Sequence, residues 1–430
     1  MLEKLFNLRA SGTNVKTEII AGFSTFLTMS FIIAVNPGIL SDAGIDFAAG
    51  FVATIIATVI GTLIIGLYAG WPVAVAPGMG LNAFFTYGVV LGYGFTWQQG
   101  LTAVFVSSVL FLIFSMTKLR AWLLQSIPNA LQAGITAGIG LFLAVIGLTG
   151  AGIIVSNPDT IVGLGALTSP EVLLALIGLL VIAGLEYRGI KGGILLGILA
   201  VSAIGWIAGL ASFGGIASAP PVASAAFSLD FSAVFSPAFI TIVFIMLFVD
   251  FFDTTGTLSA ISEIAGKRRE DGSIENINKA VVADTSASIV GALAGTSNMT
   301  TYLESASGIK AGGRTGLTAV VIALLFLSCL FLEPLFASIP AFATAPALIF
   351  VAANFMTSLR RVEWDDLSQA VSVMVILLVM PLTFSIAAGI AFGFITYVVM
   401  KVIAGKTQDV SLGLWTIVAF AIIWMYLSAS

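Results

Sequence analysis

GTSNMTTYLESASGIKAGGR, residues 295 to 314, places one carboxylate, Glu304, among small polar residues and glycines. Gly295, Gly308, Gly312 and Gly313 would suit a solvated loop. Lipid offers another reading, because hydrocarbon penalises an ionisable side chain by roughly 2.5–3.5 kcal/mol, so one retained there marks a site. The distribution of positive charge favours the second. It requires a membrane crossing between an outside Gly295 and an inside Lys310, a stretch shorter than the ~20 residues an ordinary spanning helix needs. An extended lead-in followed by a half-helix fills that gap, with Glu304 just inside the half-helix.

The surrounding chain has the composition this reading needs. Its 430 residues are 59% hydrophobic and only 9% charged, with a mean hydropathy of +1.12, whereas a soluble globule carries about 25% charged residues. Apolar runs of spanning length recur, and they are continuous rather than alternating, so helices are expected and not a barrel. The single cysteine, Cys329, excludes an intramolecular disulfide, and the absence of histidine removes the usual zinc ligands. No metal, cofactor or nucleic acid is expected. The stretch MLEKLFNLRASGTNVKTE lacks a signal-peptide cleavage site, so the first apolar segment is expected to remain as a span.

Spans are read at about 18–37, 47–69, 73–91, 98–117, 129–149, 170–187, 191–212, 237–260, 278–293, 296–309, 314–336, 344–358, 366–383 and 385–404. Under the positive-inside rule all 17 lysines and arginines then fall on the cytoplasmic side, together with the N-terminus. Lys118 and Arg120 follow the fourth span, Lys267, Arg268 and Arg269 the eighth, and Lys310 and Arg314 the tenth. The outer loop Phe213 to Ser236 carries no positive charge. Leu412 to Leu427, with Trp415, Trp424 and Tyr426, is either a fifteenth helix or an interfacial one.

Spans three and ten are built unlike the rest. Pro72 and Pro77 oppose a continuous helix before a short run containing Asn82, as Gly295 to Thr300 precede the run containing Glu304. Three is to the first seven spans as ten is to the second seven. Paired interrupted segments point to a transporter site between inverted repeats. The expected fold is an all-α polytopic membrane protein of about fourteen spans in a 7+7 inverted repeat, with short extended segments in spans three and ten.

Most of the 21 acidic residues lie at span ends or in loops, where solvated surface charge accounts for them. Asp250, Asp253, Asp284 and Glu304 do not. Asp250 and Asp253 are three apart and share one helix face, and Asp250, among aromatic residues, could equally be protonated or internally paired. Thr254, Thr255, Gly256 and Thr257 form a small polar patch suited to a ligand or to close helix packing. Asp284 fits a supporting role, bonding backbone freed by the broken tenth span. Two carboxylates and an amide suit a neutral heterocycle with ring N–H groups and repel an inorganic anion. Half-helix N-termini would add N–H donors. A buried carboxylate that binds and releases a proton is the minimal requirement for proton symport.

NVKTEIIAGFSTFLTMSFIIAVNP, APGMGLNAFF, FVDFFDTTGTL and GTSNMTTYLESASGIKAGGRTGLTA resemble the AzgA-like purine permeases, the adenine, guanine and hypoxanthine transporters related to the uracil and xanthine permeases. The resemblance covers nearly the whole chain. It implies a core domain of residues 1–125 and 236–338 and a gate domain of residues 126–235 and 339–430. It also implies substrate binding by Asp253, Glu304 and Asn82, and the residues beside them, Gly80, Thr254, Tyr302 and Ser305, complete the candidate set. Thr257 stands where the uracil and xanthine branches have an ionisable group, which leaves Asp253, Glu304 and Asp284 as candidates for proton coupling.

The function expected is import of a purine base with a proton across the cytoplasmic membrane, sodium remaining an alternative coupling ion. A xanthine or uracil permease of the same fold is the first rival, and an anion transporter of related architecture the second. The resemblance also allows a homodimer. An intramembrane enzyme is disfavoured, because the chain has no HExxH pattern, no cysteine pair and no credible Ser/Lys dyad, its lysines being expected on the cytoplasmic side.

Overall fold

The computed structural model describes residues 2–117, 126–269 and 273–429, so Lys118 and Arg120 lie outside the described residues. The first half comprises α1 (Leu2–Phe6), α2 (Val15–Met29), α3 (Ile32–Asp42), α4 (Phe47–Ile64), β1 (Val75–Pro77), α5 (Met79–Ala83), α6 (Trp97–Ser115), α7 (Asn129–Gly150), β2 (Ile154–Asn157), β3 (Ile161–Leu164), α8 (Pro170–Tyr187) and α9 (Gly193–Ile207). The second comprises α10 (Pro237–Ile264), α11 (Ile277–Ala294), β4 (Met299–Thr301), α12 (Ser305–Lys310), α13 (Gly316–Ser328), α14 (Glu333–Ala337), α15 (Ala341–Met356), α16 (Leu367–Leu382), α17 (Ile386–Ile403) and α18 (Leu412–Ala429).

Among the described residues nine helical segments are long and apolar enough to cross a membrane, and four shorter ones are apolar. Each of the fourteen expected crossings coincides with a helix or a strand-plus-helix unit. The first crossing is two helices, α2 and α3, rather than one. The undecided C-terminal stretch is the helix α18, which packs on α17 and sets Phe420 beside Phe244 of α10. The side chains of Trp424 and Tyr426 lie outside the described residues. The hairpin β2–β3 was not expected from sequence.

Local chemistry starts several of these helices. The Ser236 hydroxyl accepts the Phe239 N–H, and Pro237 occupies the first helical position, where its missing N–H costs nothing. Ser169 and Pro170 begin α8 in the same way. Thr96 and Gln99 form a reciprocal capping box on α6.

The two interrupted spans meet. β1 and β4 pair antiparallel, with Val75 opposite Thr301, Ala76 opposite Thr300 and Pro77 opposite Met299. Tyr302 N–H to the Ala74 carbonyl and Gly78 N–H to the Asn298 carbonyl extend the ladder at both ends. A two-stranded ribbon leaves two bare edges, and in an apolar interior each unpaired group costs several kcal/mol. Two hydroxyls close them. Thr62 of α4 accepts the Val75 N–H at 3.0 Å and donates to the Val75 carbonyl at 3.1 Å. Ser288 of α11 accepts the Met299 N–H and donates to the Met299 carbonyl, both at 2.9 Å. These hydroxyls lie on the second and ninth crossings, which correspond in the two halves.

The helices that carry them must approach closely. A Cβ on Gly61 would lie 2.6 Å from that of Ala287, and one on Gly316 only 1.8 Å from the Gly66 carbonyl oxygen, so both positions need glycine. Around this crossing α2–α6 and α10–α13 pack on one another. A second group, α7, α8, α9 and α15 to α17, is packed mainly within itself. The groups touch at few places. Gly80 meets Ile139, whose Cγ2 would be 2.4 Å from an added Cβ; Phe248 meets Phe394; and Lys191 Nζ donates to Ser24 Oγ at 2.6 Å.

Candidate functional site

Three of the residues expected at the site, Asp253, Glu304 and Gly80, remain partly accessible, while Asn82, Thr254, Tyr302 and Ser305 are buried. Asp253 faces the strand crossing from α10, beside the Thr300 hydroxyl. Glu304 immediately precedes α12 rather than lying inside it, and its side chain does not cap the helix. The expected half-helix is thus only six residues long. The helix gives way to Gly312, which has φ +104°, and a Cβ on Gly308 would lie 2.5 Å from the Ala21 carbonyl oxygen of α2, so α2 and α12 meet through glycine. Asp253 and Glu304 lie close enough for their charges to interact, and α10 packs directly on α12.

The buried four hold the frame. Tyr302 reaches across the ribbon, its hydroxyl donating to the Pro77 carbonyl at 2.6 Å. Ser305 Oγ accepts the Ala74 N–H at 3.1 Å. Thr254 donates to Asp284 Oδ2 at 2.5 Å, while Thr301 donates to Asp284 Oδ1 at 2.6 Å. Asp284 therefore ties α10 to β4 and leaves neither carboxylate oxygen unengaged. Asn82 donates from Nδ2 to Asn36 Oδ1 at 2.9 Å, pointing into its own packing group. Asp250, 1% exposed, accepts from Asn298 Nδ2 at 3.2 Å.

Sequence reasoning missed Glu18, Asn36, Thr62 and Ser288. Glu18 is wholly buried and belongs to α2, yet it serves α13. Its carboxylate accepts the N–H groups of Arg314 at 2.9 Å, Thr315 at 3.4 Å and Thr318 at 3.0 Å, and the Thr318 hydroxyl at 2.5 Å. Nothing local signals this, because the acceptor lies about 300 residues before its donors.

A cavity of about 270 Å³ separates the two packing groups at the end of the molecule that bears Arg361 and the C-terminus of α10. Phe252, Thr255, Gly256, Ser259, Ala260 and Glu263 of α10 form one wall; Gln132 of α7 and Arg361 form the other. Gly256 has no atom within 4 Å of the position a Cβ would take. The cavity reaches the turn of α10 that carries Asp253.

An interrupted-helix membrane bundle with two accessible carboxylates beside paired half-crossings is the architecture of a secondary transporter. The chain belongs to the Permease family, Xan_ur_permease, whose profile matches residues 16–425. It is 44% identical to the adenine permease AdeP of Escherichia coli over 96% of this chain and 93% of that one. It is 41% identical to the guanine/hypoxanthine permease PbuO of Bacillus subtilis over 94% and 96%. The transmembrane domain of the cyanobacterial bicarbonate transporter BicA has the same fold, with TM-score 0.67 at 17% identity, covering 87% of this chain and 97% of that one. The family and these relatives make the chain a multi-pass membrane transporter and not an enzyme.

Proposed function

We propose that this permease imports purine nucleobases, hypoxanthine, guanine or adenine, across the cytoplasmic membrane by proton symport. The observation that carries the reading is the pair of partly accessible carboxylates, Asp253 of α10 and Glu304 between β4 and α12, beside the strand crossing, in a chain whose relatives are adenine and guanine/hypoxanthine permeases. A purine presents ring N–H groups and an exocyclic amine or carbonyl on one plane. Glu304 and Asp253 accept those donors. Either can take up a proton with the base and release it on the other side. Asp284, with both oxygens held by threonine hydroxyls, keeps the crossing rigid while they do so. Residues 1–125 and 236–338 act as the core domain and residues 126–235 and 339–430 as the gate. The N-terminus and the basic loops are cytoplasmic, so the cavity beside Gly256 is the path by which the base leaves.

Competition tests the reading. Uptake of labelled hypoxanthine is expected to be inhibited by excess adenine or guanine, to be insensitive to uracil, and to collapse when a protonophore dissipates the proton gradient. Inhibition by uracil or xanthine alone would assign the chain to the rival substrates. A gradient of sodium that sustains uptake with the proton gradient collapsed would remove the proton from the mechanism.

The exit path has its own test. Gly256→Trp places an indole in open space, so membrane abundance is expected to stay at the wild-type level while uptake falls by about tenfold, equivalent to about 1.4 kcal/mol. Unchanged uptake would show that the base leaves elsewhere.

A further inference from the structure

The turn between α8 and α9 is seated against the part of α2 that holds Glu304. Lys191 Nζ donates to Ser24 Oγ of α2 at 2.6 Å. Gly192 follows with φ +76°, and a Cβ there would lie 2.9 Å from the Leu27 carbonyl oxygen, so the turn needs glycine to come this near α2. Thr28, the next residue of α2, donates from Oγ1 to the Glu304 carbonyl at 3.4 Å. On the other side of the turn Gly193 abuts the end of α8, where an added Cβ would lie 2.8 Å from Glu186 Oε1. Glu186 and Glu304 therefore approach from the two packing groups, close enough for their charges to interact.

The groups around the two acids differ. The Glu186 carboxylate accepts the N–H groups of Gly193 and Ile194, donors that stabilise its charged form. Glu304 caps no helix, and Asp253 of α10 acts on it as a second like charge. Tyr302 beside it has its hydroxyl committed to the Pro77 carbonyl. Lys191 brings one ammonium to the junction, bonded to Ser24 one turn of α2 before Thr28. An ionised Glu304 thus meets two carboxylates and one ammonium, and the balance is repulsive. A protonated Glu304 carries no charge to repel.

We infer that Glu186 drives the return of the empty transporter. In the proposed orientation the α8–α9 turn is cytoplasmic, so its contact with α2 belongs to the conformation that releases base inward. The proton that entered with the base passes from Glu304 to cytoplasmic water, and the ionised carboxylate is left facing Glu186. Repulsion then favours moving residues 1–125 and 236–338 away from the turn. A site still holding its proton feels no such force and crosses in either direction. By linkage the two effects are one, since a contact that disfavours the ionised form favours the protonated form by the same factor. The inference rests on the symport reading of Glu304 and adds to it a residue from the other packing group.

Two assays on the purified full chain in proteoliposomes separate the return of the empty site from the passage of the loaded one. Net uptake of labelled hypoxanthine into base-free vesicles needs the empty return, whereas exchange into vesicles preloaded with unlabelled hypoxanthine does not. Glu186→Gln keeps an acceptor oxygen for the start of α9. It is expected to lower maximal net uptake by roughly three- to tenfold, the effect of removing a screened like-charge repulsion, and to leave exchange within about twofold of wild type. Glu186→Asp restores the charge and is expected to recover most of the net uptake. Unchanged net uptake in Glu186→Gln would overturn the inference. So would equal losses of net uptake and exchange, or a Glu186→Asp as impaired as Glu186→Gln, since both results confine Glu186 to holding the start of α9. A wild type that carries uracil in place of hypoxanthine would count against the purine reading alone, and the same comparison is then made with uracil.

Discussion

Glu304→Gln is expected to eliminate measurable accumulation of labelled hypoxanthine while the variant reaches the membrane in wild-type amount. The side chain caps no helix, so the substitution leaves the frame around it intact. What changes is the pairing with substrate. A carboxylate accepts two donors, whereas glutamine turns an N–H₂ group toward one of them. Loss of a hydrogen bond to a charged group costs about 1.5–3 kcal/mol, a reduction of about 10- to 150-fold in affinity, before any loss of proton coupling. The reading predicts a second distinction. If Glu304 carries the proton, Glu304→Gln retains slow exchange of labelled for unlabelled base at high concentration while losing accumulation. Wild-type accumulation in Glu304→Ala would favour the anion-transporter rival and remove Glu304 from the site.

The second large effect lies far from substrate. Glu18→Ala removes the acceptor of three backbone N–H groups at the start of α13 and of the Thr318 hydroxyl. Each donor left buried and unpaired costs about 1–3 kcal/mol. The losses are not fully additive, so a destabilisation of about 3–5 kcal/mol is expected, in line with breaking other buried charged networks. Purified variant should unfold at a markedly lower temperature, and less of it should reach the membrane. Glu18→Gln keeps one acceptor oxygen and should fall between the two. Equal thermal midpoints for all three proteins would show that the backbone of α13 finds another partner.

The contrast between Glu304 and Glu18 shows what a sequence discloses in a protein of this kind. Pro72, Pro77 and the run Gly295 to Thr300 break helical periodicity locally, so both interrupted crossings were legible. The acids of FVDFFDT stood out because charge is rare in apolar runs. Glu18 carries the same charge, yet it sits at the end of a span among basic residues, where a solvated role is the ordinary explanation. Its partners lie some 300 residues on. Tyr302 and Ser305 were expected to face substrate because they flank Glu304, whereas they brace β1. Chain proximity could not reveal which way they turn. Thr62 and Ser288 were illegible for a different reason: Thr54 and Thr58 share the face of Thr62, and Thr285 and Ser286 precede Ser288, and nothing in these hydroxyl runs says which member meets a strand edge.

The pairing of β1 with β4 has a consequence for synthesis. Val75 finds its partner in Thr301, about 220 residues later, and at 5–20 residues per second the ribosome needs roughly 10–45 s to deliver it. For that interval the backbone of residues 74–78 has Thr62 for one edge and nothing for the other, in a setting where exposed peptide groups are strongly disfavoured. The third crossing cannot be stably seated in lipid as a finished element while the chain grows. It has to wait beside the translocation machinery, or in contact with water, until the tenth arrives. A ribosome stalled between the two halves therefore leaves a half-inserted chain, with no transporter half able to stand alone.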